Sequence, residues 1–224
     1  MIIEIRHYTY YPSEFRPFLK YYEEEGFSIT SRHLGETVGI MTGISGIANR
    51  TFQFFAYKSY EHRLECRKGF LQDPVKQNFT SVADKAIIQQ ESILIEPTKF
   101  SPLFGEKSEK PLMKKEDGSL RYFDLTTFHV KSGRRQEVLD LLEKKLLPLY
   151  KKYLSYEVGY FTRHYGETDA VLAMWGFDSE QQRMDQMKEL ENDPEYQKES
   201  TKLYALINGR ESQMLQPTTY SPLR

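Results

Sequence analysis

The chain has 224 residues, 39% of them hydrophobic and 28% charged, with a formal net charge of −1. This is globular composition with room for one large or two small domains; it has neither the basic excess of a nucleic-acid surface nor an apolar run of membrane length. The lone cysteine, Cys66, excludes an intrachain disulfide and suits a reducing compartment.

Ile2 to Tyr10 alternates β-branched, aromatic and polar residues and reads as a strand. Ser13 is a candidate N-cap for a helix through Phe15, Phe18, Leu19 and Tyr22, with Gly26 placed to break or kink it. Thr37–Ile44 and Thr51–Tyr57 read as strands of a hairpin joined through Ser45 to Asn49. Ser59 caps a helix from about Tyr60 to Leu71, Pro74 opens a short one, and a last strand lies near Ser92 to Glu96. The order β-α-β-β-α-β is the ferredoxin-like motif.

Pro97-Thr98-Lys99-Phe100-Ser101-Pro102-Leu103 then returns as Pro217-Thr218-Thr219-Tyr220-Ser221-Pro222-Leu223, an offset of 120 residues. The same offset aligns Val38-Gly39 with Val158-Gly159, Arg63 with Arg183, and Asp73-Pro74 with Asp193-Pro194, without a gap. A fixed period of this kind means a duplicated unit. The expected organisation is repeat 1 over 1–104, a charged linker over 105–119, and repeat 2 over 120–224. Repeat 2 predicts strands over Leu120–Val130, Glu157–Thr162 and Ala170–Phe177, a last strand near Ser212 to Leu215, and helices over Arg134–Tyr153, from Ser179 to about Leu190, and from Pro194.

Along Phe52 to Tyr57 both faces carry large apolar groups: Phe52, Phe54 and Ala56 on one, Phe55 and Tyr57 beside Gln53 on the other. Helices cover one face of a ferredoxin-like sheet, so the two bare faces are expected to meet. The fold class is α+β: two ferredoxin-like repeats packed sheet to sheet as one barrel within the chain. Further pairing of whole chains into a homo-oligomer stays open.

At Arg32-His33-Leu34-Gly35, Gly39, Asn49, Tyr57-Lys58-Ser59, Arg63 and Asp73-Pro74, with the opening Glu4-Ile5-Arg6-His7-Tyr8, repeat 1 resembles the NIPSNAP family. Repeat 2 carries the fainter set Gly159, Trp175, Ser179, Arg183 and Asp193-Pro194. Gln53 and Phe55 stand where family members commonly carry His and Trp. The resemblance implies a dimeric α+β barrel, in a superfamily that also holds cofactor-free monooxygenases, haem-degrading enzymes and isomerases.

On the first strand Glu4, Arg6, Tyr8 and Tyr10 share one face. Glu4 and Arg6 either pair structurally or leave the guanidinium to grip a ligand carboxylate. The candidate ligand-binding residues are Arg6, Tyr10, Gln53, Tyr57 and Trp175, around a small apolar or aromatic molecule held between the sheets. The candidate proton handlers are Arg32, His33 and Tyr8; the plainer alternative for Arg32-His33 is a loop-capping hydrogen bond. His62 and Cys66 have a metal-compatible i, i+4 spacing but no further ligand in sight, so no metal site is expected. No phosphate loop, nucleophile elbow or coenzyme fingerprint occurs, and no cofactor, nucleic acid or membrane partner is expected. Three functions remain: a binding protein for a small apolar or aromatic ligand, a cofactor-independent monooxygenase or isomerase, or a protein-interaction module. The chain opens on strand-like sequence without a leader, so it is read as cytoplasmic.

Overall fold

The computed structural model describes residues 1–105 and 118–224, so residues 106–117 of the expected linker lie outside the described residues. Repeat 1 supplies β1 (Ile2–Tyr10), β2 (Glu36–Gly43), β3 (Arg50–Tyr57) and β4 (Ile87–Pro97). Repeat 2 supplies β5 (Tyr122–Val130), β6 (Tyr156–Arg163), β7 (Ala170–Phe177) and β8 (Ile207–Pro217). The eight strands close into one barrel in the order β1-β3-β2-β8-β5-β7-β6-β4. Each repeat is a four-stranded antiparallel sheet, and the seams are β2–β8 and β4–β6. Every strand of the described residues then has two neighbours, which leaves no sheet edge among them for another chain to extend.

The repeated heptapeptide is what ties the halves together. After β4, Thr98 N donates to Tyr160 O at 2.9 Å, Leu103 N to Val158 O at 3.1 Å, and Tyr160 N to Ser101 Oγ at 3.1 Å, so this segment extends along β6 of the opposite repeat. After β8 the second copy does the same to β2: Thr218 N to Ile40 O, Leu223 N to Val38 O, and Ile40 N to Ser221 Oγ at 3.0 Å. Gly159 belongs to this latch, since a Cβ there would sit 2.8 Å from Ser101 Oγ and 2.4 Å from the Phe161 ring.

Three apolar cores result. The barrel interior holds Ile3, Ile5, Phe52, Phe54 and Ile95 against Phe123, Leu125, Leu172, Met174 and Leu215. Outside it, one helical layer per repeat covers Tyr10, Phe55 and Tyr57 in repeat 1, and Trp175 and Phe177 in repeat 2. The sheets meet as expected, but the even set of β3 is the one that faces inward. Phe55, Tyr57 and Trp175, 0%, 1% and 6% exposed, lie under helices and not between the sheets.

In repeat 1 that layer is α1 (Pro12–Tyr21), a π-helical turn (Tyr22–Gly26), α2 (Phe27–His33), α3 (Tyr60–Gln72) and α4 (Lys76–Ala86). Repeat 2 answers with α5 (Arg135–Leu141), a π-helical turn (Leu142–Leu146), α6 (Leu147–Tyr153), α7 (Glu180–Asn192) and α8 (Pro194–Leu206). Ser59 and Ser179 cap α3 and α7 by accepting from His62 N and Gln182 N. Ser13 is not a cap: the cap position is Tyr11, two residues earlier, and α1 starts at Pro12, whose missing N–H costs nothing in a first turn. Gly26 does not end the helix either. The π turn recurs where repeat 2 has Leu146, and Gly26 is needed because a Cβ would stand 2.8 Å from the Phe79 ring. Both last strands begin earlier than their apolar signal, at Ile87 and Ile207, because their first halves carry exposed polar residues.

Candidate functional site

A cavity of about 210 Å³ lies between the outer face of β1 and β3 and the helices of repeat 1. Its floor is Arg6, Tyr8, Tyr10 and Gln53; Phe18, Tyr22, Thr30, Phe70, Phe79 and Ala83 form aromatic and small-residue walls; Arg67 and Asp84 stand at its edge. Strand pairing explains the floor, since Arg6 lies opposite Gln53 and Tyr8 opposite Thr51, and directly paired residues share a face. Tyr22 opens the π turn, and its hydroxyl sits 2.7 Å from Thr30 Oγ1 and 3.5 Å from Gln53 Oε1. Tyr10 meets Thr51 Oγ1 at 3.0 Å. Burial pushes the phenols of Tyr10 and Tyr22 well above their ordinary pKa, so both are neutral hydrogen-bonding groups.

Beneath the floor one carboxylate serves three guanidiniums. Glu4, fully buried, accepts from Arg63 Nη2 at 2.7 Å and Nε at 3.1 Å, from Arg67 Nη1 at 3.2 Å, from Arg6 Nη2 at 3.3 Å, and from the Tyr57 hydroxyl at 3.3 Å. Burial alone would raise the Glu4 pKa; the Arg63 hydrogen bond and the three positive charges outweigh it and hold it below the usual value. Arg6 also donates to the Tyr8 hydroxyl at 3.3 Å, lies over the Phe55 ring, and holds its Nε 3.3 Å from Glu4 Oε2, an ion-pair contact without hydrogen-bond alignment.

The equivalent place in repeat 2 is nearly filled, leaving about 60 Å³. Thr30 is replaced by Tyr150, Phe55 by Trp175 and Ala83 by Leu203, while Arg6, Tyr8, Gln53 and Arg67 become Thr126, Phe128, Ala173 and Met187. Tyr150 packs on Trp175 and Tyr196 at about 6 Å, and the indole N–H donates to the Tyr160 hydroxyl. Asp124 takes the place of Glu4 and meets a single guanidinium, Arg183, whose Nε donates at 2.7 Å. A third cavity of about 410 Å³ lies in the barrel at the end where β1 and β5 finish; His7, Arg50, Phe52, Leu125, Thr127, Leu172 and Gln213 line it.

Arg6, Tyr8, Tyr10 and Gln53 are thus brought together, under helices and not between the sheets as expected. The strand period is the reason: Ile3, Ile5 and His7 take the inward face, and Glu4, Arg6, Tyr8 and Tyr10 the outward one. Tyr57 sits behind the floor on Glu4, and Trp175 belongs to the other repeat's core. Arg32 and His33 do not line any of these cavities. Both bind Asp73 Oδ2, at 3.0 and 2.7 Å, while Asp73 Oδ1 accepts from Val75 N. Lys152, Tyr153 and Asp193 rebuild this clamp in repeat 2 with different side chains, the pattern of a structural tie between α2 or α6 and the turn before the last helix. Tyr22, Thr30, Arg67 and Phe79 were not singled out from sequence. Arg63 and Arg67 offered a signal, being one helical turn apart and so on one face. The sulfur of Cys66 lies 3.6 Å from His62 Nε2, and among the described residues no group of three or more metal-ligating side chains converges. Among them, too, no helix is long and apolar enough to cross a membrane.

The sequence pattern of the NIPSNAP family matches residues 3–102 and again 123–222. Human NipSnap homolog 3A is 26% identical over 223 residues, covering 99% of this chain and 85% of that protein. Solved structures that share the fold over nearly the whole length include a monooxygenase-like protein of Fusobacterium nucleatum (10% identity, 100% of this chain and 94% of that one, TM-score 0.70) and an anthrone oxidase-like protein (16% identity, 97% and 91%, TM-score 0.67). At such identities the likeness is one of fold alone. The double match over both halves establishes that the chain belongs to the NIPSNAP family and carries its domain twice.

Proposed function

We propose that this protein binds one small, largely aromatic molecule in the cavity beneath the helices of repeat 1. The observation that carries the reading is the buried Arg6 guanidinium, 5% exposed, at the floor of an aromatic-walled space beside the polar groups of Tyr8, Tyr22 and Gln53. Binding pockets are mostly apolar with a few convergent polar groups, and a 150 Å³ apolar cavity already admits benzene, so about 210 Å³ suits one substituted ring. The barrel cavity is larger, but its polar side chains turn to partners outside it: His7 and Arg50 approach Glu91, and Gln213 donates to Ser45. The filled site of repeat 2 supports a single ligand per chain. The test is native mass spectrometry of gently purified protein. A bound small molecule is expected, lost when the cavity is filled as in repeat 2 by Thr30→Tyr with Ala83→Leu; a wild-type spectrum and a ligand screen both empty would overturn the reading.

A second reading, a cofactor-independent monooxygenase or isomerase, draws on the fold shared with monooxygenase-like proteins and on a guanidinium placed to hold a phenolate or enolate. Against it, no imidazole or thiol lines this cavity among the described residues, and the buried phenols are poor bases. Oxygen uptake with phenolic substrates decides between the two. A pure interaction module would have packed interiors, which cavities of about 210 and 410 Å³ do not favour. The cytoplasmic placement stays with this proposal and is tested by fractionation.

A further inference from the structure

Resting on that cavity being a ligand site, we infer that its ligand is an anion: an aromatic or short apolar carboxylate whose acid group lies between Arg6 and Arg67. Arg6, Arg63 and Arg67 surround the single carboxylate of Glu4, with side chains 6%, 12% and 38% exposed against 0% for the acid. Three cations and one anion leave two positive charges in excess. Arg63 takes both Glu4 oxygens in a fork and stands back from the cavity, whereas Arg6 and Arg67 line it. The excess charge therefore borders the empty volume. Asp84, on the rim from α4, is exposed and forms no ion pair with either arginine.

One carboxylate shared among three guanidiniums, two of them largely buried, leaves charge poorly compensated, and proteins keep such an arrangement only where something offsets it. Repeat 2 shows what the same scaffold does without the need. Where the cavity closes, Arg6 and Arg67 are replaced by neutral Thr126 and Met187, and Asp124 and Arg183 balance one to one. Arg210 reaches that rim only as an exposed side chain. The two arginines and the open volume are present together or absent together. A carboxylate matches the planar fork of a guanidinium, and the rings of Phe18 and Phe79 suit a flat apolar body.

The experiment is calorimetric titration of the full chain with matched pairs of acids and amides: benzoate and benzamide, cinnamate and cinnamamide, indole-3-carboxylate and indole-3-carboxamide. Acids are expected to bind at least tenfold more tightly than their amides, and Arg67→Met, which installs the residue of repeat 2, to weaken the acids roughly ten- to hundredfold while leaving the amides nearly unchanged. Amides that bind as well as acids, or acids unaffected by Arg67→Met in protein whose unfolding remains cooperative, overturn the anion inference and leave the cavity as a ligand site. If neither series binds, and Thr30→Tyr with Ala83→Leu changes nothing retained through purification, the cavity reading fails and the inference with it.

Discussion

Stability should fall between pH 7 and pH 5 because of one imidazole. His7 faces the barrel interior, 18% exposed, with its ring 4.6 Å from Phe52 and Glu91 at 3.8 Å. Burial first and then the charge of Arg50, opposed by Glu91 and helped by a smaller contribution from Arg163, push its pKa down to about 4. In the unfolded chain it returns to about 6.5. The folded value is the lower one, so the unfolded state takes up the proton first, and stability present above about pH 6.5 is lost progressively down to about pH 4. Between pH 7 and pH 5 the loss from this group is about 2 kcal/mol, from 1.36 kcal/mol per unit of pKa difference. Urea unfolding at pH 7, 6 and 5 measures it, with His7→Thr as the control that installs the residue of repeat 2, Thr127. The variant should lose most of the pH slope; a slope unchanged in the variant, or none in the wild type, would refute the reasoning.

Glu4→Gln strands three guanidiniums and should cost about 3–5 kcal/mol, read as a lower urea midpoint; Asp124→Asn, with one partner, should cost less. Ser101→Ala and Ser221→Ala each leave a buried backbone N–H unpaired, on Tyr160 and Ile40, and should each cost about 1–3 kcal/mol in the same assay. Gly159→Ala drives a Cβ to 2.4 Å from the Phe161 ring and should cost about 1–3 kcal/mol, whereas Gly39→Ala, whose nearest neighbour is the flexible Met41 tip at 3.1 Å, should cost markedly less.

The barrel was legible because its devices are local and were written twice: the strand period, the serine caps, and above all the heptapeptide, whose near-identity in both copies follows from its latching role. The membership of the polar floor was legible too, since Glu4, Arg6, Tyr8 and Tyr10 alternate on one strand. The side of the sheet they occupy was not. Both faces of β3 are apolar, so periodicity separates two sets without saying which one the helices cover. Arg32 and His33 drew attention as a basic pair near a strand mouth. Their partner, Asp73, lies 40 residues further along the chain, and only the fold brings them together. The open volume depends on Thr30 and Ala83 being small where repeat 2 has Tyr150 and Leu203, a contrast without meaning until those positions face each other.

Two single-domain copies forming this barrel would have identical sites; a tandem chain lets them part. Repeat 2 has followed stability, filling its cavity with Trp175, Tyr150 and Leu203 and balancing its charges, while repeat 1 keeps a void and surplus cations, both of which cost folding free energy. Arg67 makes the contrast measurable. Its pKa is lowered, first by burial and then by repulsion from Arg6, so its charge is disfavoured in the folded state even with Glu4 alongside. If the cluster served only to hold the fold, Arg67→Met would destabilise the protein. If the surplus charge is kept for a ligand, the ligand-free variant should be as stable as the wild type or gain up to about 1 kcal/mol, discounted for an arginine still 38% exposed, in the usual exchange of stability for function. Thermal unfolding of ligand-stripped protein separates the two, and a midpoint several degrees lower in the variant would return Arg67 to the scaffold.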